Sequence, residues 1–248
     1  MSLFDLTGKV AIVTGSSRGI GAAAKAALEA RGATVVGQAT TSSATDTVPA
    51  DFTEPFAPHE LWQAALARAG GEIDVLVNNA GLFAPNPIDA TDLHWLAAFE
   101  DTMRINLTAA AQLSRFAVRH WQERAAKGDT RGGRIVHVAS RAGHRGDSPA
   151  HWHYAASKGG MLALHKTIAR AYAGENILSF AIAPGFTDTA MAGDYLDSRG
   201  GPGLLADIPL GRVAEPEEIA AMIAFCALDA PPSMTGTTLD ANGASYVR

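Results

Sequence analysis

The chain has 248 residues, 47% of them hydrophobic and 18% charged, with a formal net charge of −5. Such apolar content supplies one sizeable core, and the mild acidity gives no electrostatic footprint for nucleic acid or an anionic membrane surface. One cysteine, Cys226, excludes an internal disulfide framework, and no apolar run approaches the roughly 20 residues that span a bilayer.

The start, MSLFDLTGKVAIVTG, lacks the basic residues and unbroken apolar stretch of a signal peptide, so a soluble cytoplasmic protein is expected. Short apolar runs then alternate with amphipathic stretches. VAIVT (10–14) precedes GIGAAAKAALEARG (19–32), and TVVGQ (34–38) precedes a brief strand near 47–50 and HELWQAALARAG (59–70). DVLVNN (74–79) leads into a long helical stretch at 92–127, and RIVHVAS (134–140) into another at 152–174. ILSFAIA (177–183), PEEIAAMIAFCAL (216–228) and TTLDAN (237–242) close the series. Runs rich in Val and Ile without polar alternation predict a sheet buried on both faces, hence parallel. Strand–helix alternation along the whole length predicts one doubly wound α/β domain over residues 1–248. Cys226, inside MIAFCAL, is expected to be buried.

Two segments break the rhythm. The link ATTSSATD after TVVGQ is too short for the usual crossover between parallel strands, so its helix should be missing or cut to one turn. Residues 186–212, rich in Gly, Asp and Pro, are predicted to form a substrate loop or lid.

Thr14-Gly15-Ser16-Ser17-Arg18-Gly19-Ile20-Gly21 follows the first strand directly and opens the first helix. Gly15 suits a tight turn, Gly19 lets the backbone approach a pyrophosphate, and Gly21 permits close helix–strand packing. The helix N-terminus presents N–H donors and partial positive charge to phosphate, which makes Ser17, Arg18 and Ile20 cofactor candidates with the three glycines.

This TGxxxGxG spacing resembles the short-chain dehydrogenase/reductase family, and the resemblance runs through almost the whole chain. Asn78-Asn79-Ala80-Gly81 looks like the family's NNAG element, and Pro184-Gly185 like its PG element. SSRGIG, APGFTDTAM and IPLGRVAEPEEIA are closest in style to its beta-ketoacyl-acyl-carrier-protein reductase branch. The resemblance implies a seven-stranded parallel Rossmann sheet in a dimer or tetramer. It also implies cofactor contacts from Asn79, Ala80, Gly81, Pro184 and Gly185, with Asp51 beside Phe52 at the adenine and Thr187, helped by Thr189, at the nicotinamide carboxamide.

Charge selects the cofactor. A carboxylate at the end of the second strand would bond a ribose 2′-OH and repel a 2′-phosphate. That place holds Ala39, Thr40 and Thr41, with no carboxylate before Asp46, and Arg18 lies within reach of a phosphate. NADP(H) is therefore favoured over NAD(H).

Tyr154 and Lys158, in YAASK, fall on one helical face. A tyrosine titrates near 10, roughly, and a neighbouring cation favours its phenolate, which suits proton exchange with the oxygen of a carbonyl or alcohol substrate. Ser140, at the end of the fifth strand, can bond that oxygen. In the family, Lys158 would also bind the nicotinamide ribose, and Asn106 in RINLTAA would help hold a water linking the lysine to solvent. His144, His151 and His153 lack convincing metal-ligand spacing, and no metal is expected. One of them, or Trp152, is a pocket candidate. Arg141 and Arg145 could attract an anion, with Asp147 offsetting them. The stripe Leu96, Phe99, Met103, Leu107, Ala110 reads as core or subunit interface.

The expected activity is hydride transfer between nicotinamide and a carbonyl or secondary alcohol, a 3-oxoacyl thioester among the substrates. The alternatives are an NAD(H)-linked dehydrogenase of a sugar, polyol or cyclic alcohol, and a non-catalytic NADP(H) sensor.

Overall fold

The computed structural model describes residues 6–41, 45–189 and 201–248. Seven strands form one parallel sheet: β1 (Val10–Val13), β2 (Thr34–Ala39), β3 (Thr47–Pro49), β4 (Val75–Asn78), β5 (Gly133–Val138), β6 (Ile177–Pro184) and β7 (Thr238–Ala241). Their order across the sheet is β3-β2-β1-β4-β5-β6-β7, with every pairing parallel. The order reverses at β1, the switch point beside which doubly wound sheets bind their ligands.

Helices cover both faces, as the unbroken apolar strands require. On one side α1 (Gly19–Glu29) packs with α8 (Pro216–Leu228) over Val13, Val77, Val136 and Phe180. On the other, α2 (Ala57–Arg68) and α4 (Ala109–Ala125) close over Ile12, Leu76 and Ile135, and α6 (Trp152–Tyr172) over Ala139 and Ala181. Cys226 lies fully buried in the first of these layers. Three further helices, α3 (Asp92–Met103), α5 (Ala142–Arg145) and α7 (Gly201–Ala206), flank the sheet's carboxyl edge and its connections.

The register explains the short link after β2. Gly37 pairs with Thr47 and Ala39 with Pro49, so β3 lies only along the last three residues of β2. The chain has to backtrack by about two residues, roughly 7 Å of strand rise, instead of a full strand length. No helix is needed to span that, and Thr40, Thr41, Thr45 and Asp46 form bends and turns.

The stretch 92–127 is not one uninterrupted α-helix. A π-helical turn, Arg104–Thr108, joins α3 to α4 and carries Asn106. Of the apolar stripe along it, Ala110 is buried, Phe99, Met103 and Leu107 are half-buried, and Leu96 is exposed. No helix among the described residues is long and apolar enough to cross a membrane. Of the predicted loop at 186–212, residues 190–200 lie outside the described set.

Candidate active site

A cleft of about 370 Å³ opens along the carboxyl edge of the sheet. Its floor at one end is the turn between β1 and α1. Gly15 sits at φ +65, and a Cβ there would stand 2.9 Å from the Ala80 Cα; at Gly21 a Cβ would run into the Gly15 carbonyl. The turn is held from three directions. Thr14 Oγ1 accepts from the Asn79 and Ala80 N–H groups at 2.9 and 3.0 Å, and the Asn79 amide donates to the Thr14 carbonyl at 2.9 Å. Buried Gln38 accepts from the Gly15 N–H at 2.8 Å and donates to the Ala50 carbonyl at 2.7 Å. Sequence reasoning missed this glutamine; its one signal was an amide inside an otherwise apolar strand.

The start of α1 has no side-chain cap. Helix α3 begins with the Thr91 hydroxyl capping the His94 N–H at 3.4 Å, but α1 begins at extended Arg18 with no side-chain cap. Gly19, Ile20 and Gly21 line the cleft, so the donors of the first turn are presented to whatever occupies it. Ser17, Arg18 and Thr40 stand exposed at its mouth, and Asp51 and Phe52 follow along the same wall. The Thr53 N–H, at 2.9 Å, and hydroxyl, at 2.8 Å, both donate to Asp51, which holds its carboxyl below the usual range. Asp46, the first carboxylate after β2, is turned away onto Lys25 at 2.7 Å. Gly81, Pro184, Gly185 and the buried Thr187 complete this part of the lining, with Thr189 beside Gly19. The residues fit a dinucleotide: uncapped N–H donors, a glycine floor and a cation at the rim.

At the other end lie Ser140, Tyr154 and Lys158. Ser140 follows β5 by two residues; its hydroxyl faces the Tyr154 phenol and accepts from the Ala142 N–H at 3.1 Å. Tyr154 and Lys158 sit one turn apart on α6. Close approach fixes the two elements: a Cβ on Gly143 would come within 2.7 Å of the Lys158 carbonyl carbon, so α5 rests directly on the α6 backbone.

The electrostatics differ from the sequence expectation. Burial pushes the phenol up to about 12, Ser140 pulls the other way, and Asp147 adds to the rise. Tyr154 is half-buried as a residue, yet its hydroxyl is thoroughly desolvated. Lys158 is itself brought down to about 8 by burial. Its ammonium donates to the Val138 carbonyl at 2.8 Å and stands 5.8 Å from the centre of the Tyr154 ring, and desolvation is the largest influence on the phenol.

Every predicted site residue lines this cleft except Asn106. Asn106 is fully buried, and its side chain is spent on structure: Oδ1 accepts from the Leu82 N–H at 2.7 Å, while Nδ2 donates to the Leu82 carbonyl at 3.0 Å and Ser157 Oγ at 3.1 Å. It ties the π turn to the segment after β4 and to α6. Such turns recur at functional sites.

The three histidines go separate ways. His144 stacks on Tyr246 at 5.7 Å, 3.8 Å from the Asp240 carboxylate. His151 stacks on Phe83 at 4.1 Å, and Phe83 meets the Tyr154 ring edge-on at 4.7 Å, which makes a flat aromatic wall beside the phenol. His153 is buried behind, 6.4 Å from Phe99, while Trp152 is exposed against Trp95.

Residues 15–243 match the family described as enoyl-(acyl carrier protein) reductase. The chain is 34% identical over 254 residues to the 3-oxoacyl-[acyl-carrier-protein] reductase of Haemophilus influenzae, covering 98% of this chain and 100% of that one. It is 34% identical over 255 residues to the reductase of the same name from Escherichia coli, covering 98% and 99%. The chain belongs to the short-chain dehydrogenase/reductase family. Among solved structures, a blue fluorescent protein from a metagenomic library, in complex with NADPH, matches with TM-score 0.84 at 30% identity over 98% of this chain and 100% of that one. The expected Rossmann fold and family are thus borne out. The protein is an oxidoreductase that uses a nicotinamide dinucleotide and acts on a CH–OH group or the corresponding carbonyl.

Proposed function

We propose that the protein is an NADPH-dependent reductase of a ketone, with Tyr154 as proton donor, Ser140 as hydrogen-bond donor to the substrate oxygen and Lys158 as the charge behind them. The observation that carries this reading is the Ser140–Tyr154 hydroxyl pair, one helical turn from a buried lysine, in a cleft whose other end is an uncapped helix start. A bound nicotinamide dinucleotide, held by the β1–α1 turn and the residues along Asp51 and Asn79–Gly81, would supply the hydride.

The chain's own residues do the rest. A phenol pushed up to about 12 keeps its proton at neutral pH, so Tyr154 stands ready as an acid. As negative charge develops on the substrate oxygen, Ser140 bonds it and Tyr154 hands over its proton. The Lys158 ammonium, fixed on the Val138 carbonyl, then offsets the phenolate left behind. Phe83 and His151 shield that side from water.

Preference for NADP(H) is supported by exposed Arg18, by Ala39 and Thr40 in place of a carboxylate, and by the capture of Asp46 on Lys25. The neighbour crystallised with NADPH supports it too. Exposed Leu93 and Leu96 on α3 support assembly as a dimer or tetramer, and we read the protein as a single cytoplasmic unit of 1–248. The relatives' names make a 3-oxoacyl thioester one substrate to test. The test follows absorbance loss of NADPH and of NADH against 3-oxoacyl thioesters, ketoses and cyclic ketones. Turnover with NADPH on a ketone is the expected result; bound NADPH with no turnover on any of them would overturn the reading.

A further inference from the structure

We propose that Arg104 is a positioning residue that couples the two ends of the cleft, so that filling the adenosine end of the dinucleotide site raises turnover at Tyr154 and not affinity alone. The inference rests on the reductase reading and adds to it a use for the part of the cofactor farthest from the chemistry.

Periodicity alone gives Arg104, in MRINLTAA, no role. In the fold it opens the π turn, where its carbonyl accepts from the Ala109 N–H five residues on. Its half-buried guanidinium donates to the Thr53 carbonyl at 2.8 Å, a charge-assisted bond between the π turn and the segment after β3. Thr53 belongs to the wall of the dinucleotide end. Its N–H, at 2.9 Å, and its hydroxyl, at 2.8 Å, both donate to Asp51 Oδ1, so Asp51, Phe52 and Thr53 form one closed turn. Asp51 and Phe52 line the cleft. Whatever settles against them therefore bears on Arg104 through a single carbonyl.

From Arg104 the connection runs on toward the chemistry. Ile105 lines the cleft itself, and Asn106 accepts from the Leu82 N–H at 2.7 Å and donates to Ser157 Oγ at 3.1 Å. Ser157 Oγ in turn donates to the Tyr154 carbonyl at 2.7 Å. Asn106 Oδ1 and Lys158 Nζ flank Gly81, 3.5 and 3.6 Å from the place a Cβ would take there. Every link from Asp51 to Tyr154 is thus a hydrogen bond of 3.1 Å or less, or a step of one or two residues within one turn. A π turn differs from the α-helix on either side by one residue of register, so a second arrangement lies close at hand, as a coupling path requires. Binding energy from the non-reacting part of a ligand raises kcat only where it orients the reacting groups, and this path is a means of doing so.

The experiment divides the cofactor in two. Adenosine 2′,5′-bisphosphate fills the adenosine end alone, and reduced nicotinamide mononucleotide carries the hydride without it. Wild type, Arg104→Met and Arg104→Lys are each saturated with the bisphosphate, as judged by their own calorimetric titrations. The first readout is hydrogen exchange, with no turnover involved. In wild type the bisphosphate should slow exchange at the π turn about 3-fold or more, whereas in Arg104→Met the slowing should stop at the Asp51–Thr53 turn. The second is kcat with the mononucleotide, on the ketone that the NADPH assay identifies. The bisphosphate should raise it about 10-fold in wild type, the scale of one charge-assisted hydrogen bond, leave it unchanged in Arg104→Met and restore most of the rise in Arg104→Lys. Each ratio compares a variant with itself, so a general loss of fold lowers both rates and leaves the ratio alone. A wild-type ratio near one with the bisphosphate bound, an undiminished ratio in Arg104→Met, or unslowed exchange at the wild-type π turn overturns the inference while leaving the reductase reading intact. A bisphosphate that does not bind the wild type overturns the placing of the adenosine end and the inference with it. No turnover of any ketone with NADPH bound overturns the reductase reading as well.

Discussion

The two ends of the cleft are made in different ways. The dinucleotide end is mostly backbone: one short turn between β1 and α1, floored by Gly15, Gly19 and Gly21 and braced by Thr14, Gln38 and Asn79. The chemical end is mostly side chains from separate elements, with Ser140 after β5, Tyr154 and Lys158 on α6, Asp147 on a loop, and Phe83 after β4. A backbone site depends on space and on free N–H groups, so few single side chains are indispensable there. A side-chain site depends on each functional group and on how dry it is kept.

The sharpest break in this comparison is Tyr154→Phe. Loss of the proton donor should lower kcat by about 10²–10⁴-fold, the range of general acid catalysis, while NADPH affinity by fluorescence titration stays within about 3-fold. A variant with ordinary turnover would mean that the chemical end is not organised around this phenol. At the other end, Arg18→Ala should leave NADH use nearly unchanged and weaken NADPH by about 10–100-fold, the worth of a charged hydrogen bond to a phosphate. The ratio of the two KM values reads this directly; equal loss for both cofactors would assign Arg18 to the shared pyrophosphate.

A third effect, on stability and not on turnover, lies beneath the chemical end. His137 on β5 and His165 on α6 are fully buried, 6.2 Å apart, and desolvation holds them down near about 3 and about 4, below their usual 6.5. Below about pH 6.5 the unfolded chain therefore binds protons that the fold refuses, and stability is lost as pH falls. Each histidine contributes about 1.4 kcal/mol per pH unit over that window. Urea melts from neutral pH downward should show the slope, and His165→Gln should make it shallower. A slope that survives in both His165→Gln and His137→Asn would place the acid sensitivity elsewhere.

How far each part could be read from sequence follows from the same contrast. The turn Thr14–Gly21 is contiguous and its glycines have local steric reasons, so it was legible. The alternation of strands and helices was legible for the same reason, and so was the short link between β2 and β3. Gln38 was not, because its partners Gly15 and Ala50 become neighbours only when β2 lies between β1 and β3. The π turn at Arg104–Thr108 was hidden inside a stretch of uniform helical periodicity, and with it the commitment of Asn106 to Leu82 and Ser157.

What the sequence by itself determined is the architecture, the family and the candidate set Ser140, Tyr154, Lys158, because periodicity, glycine spacing and motif residues are properties of order along the chain. Only the tertiary structure decided the electrostatics of those side chains. Proton affinity depends on how much water and which charges surround a group, and the surroundings of Tyr154 come from Ser140, Asp147, Phe83 and the packed face of α6. A cation four residues away along a helix suggested a lowered phenol; burial in the folded cleft raised it instead.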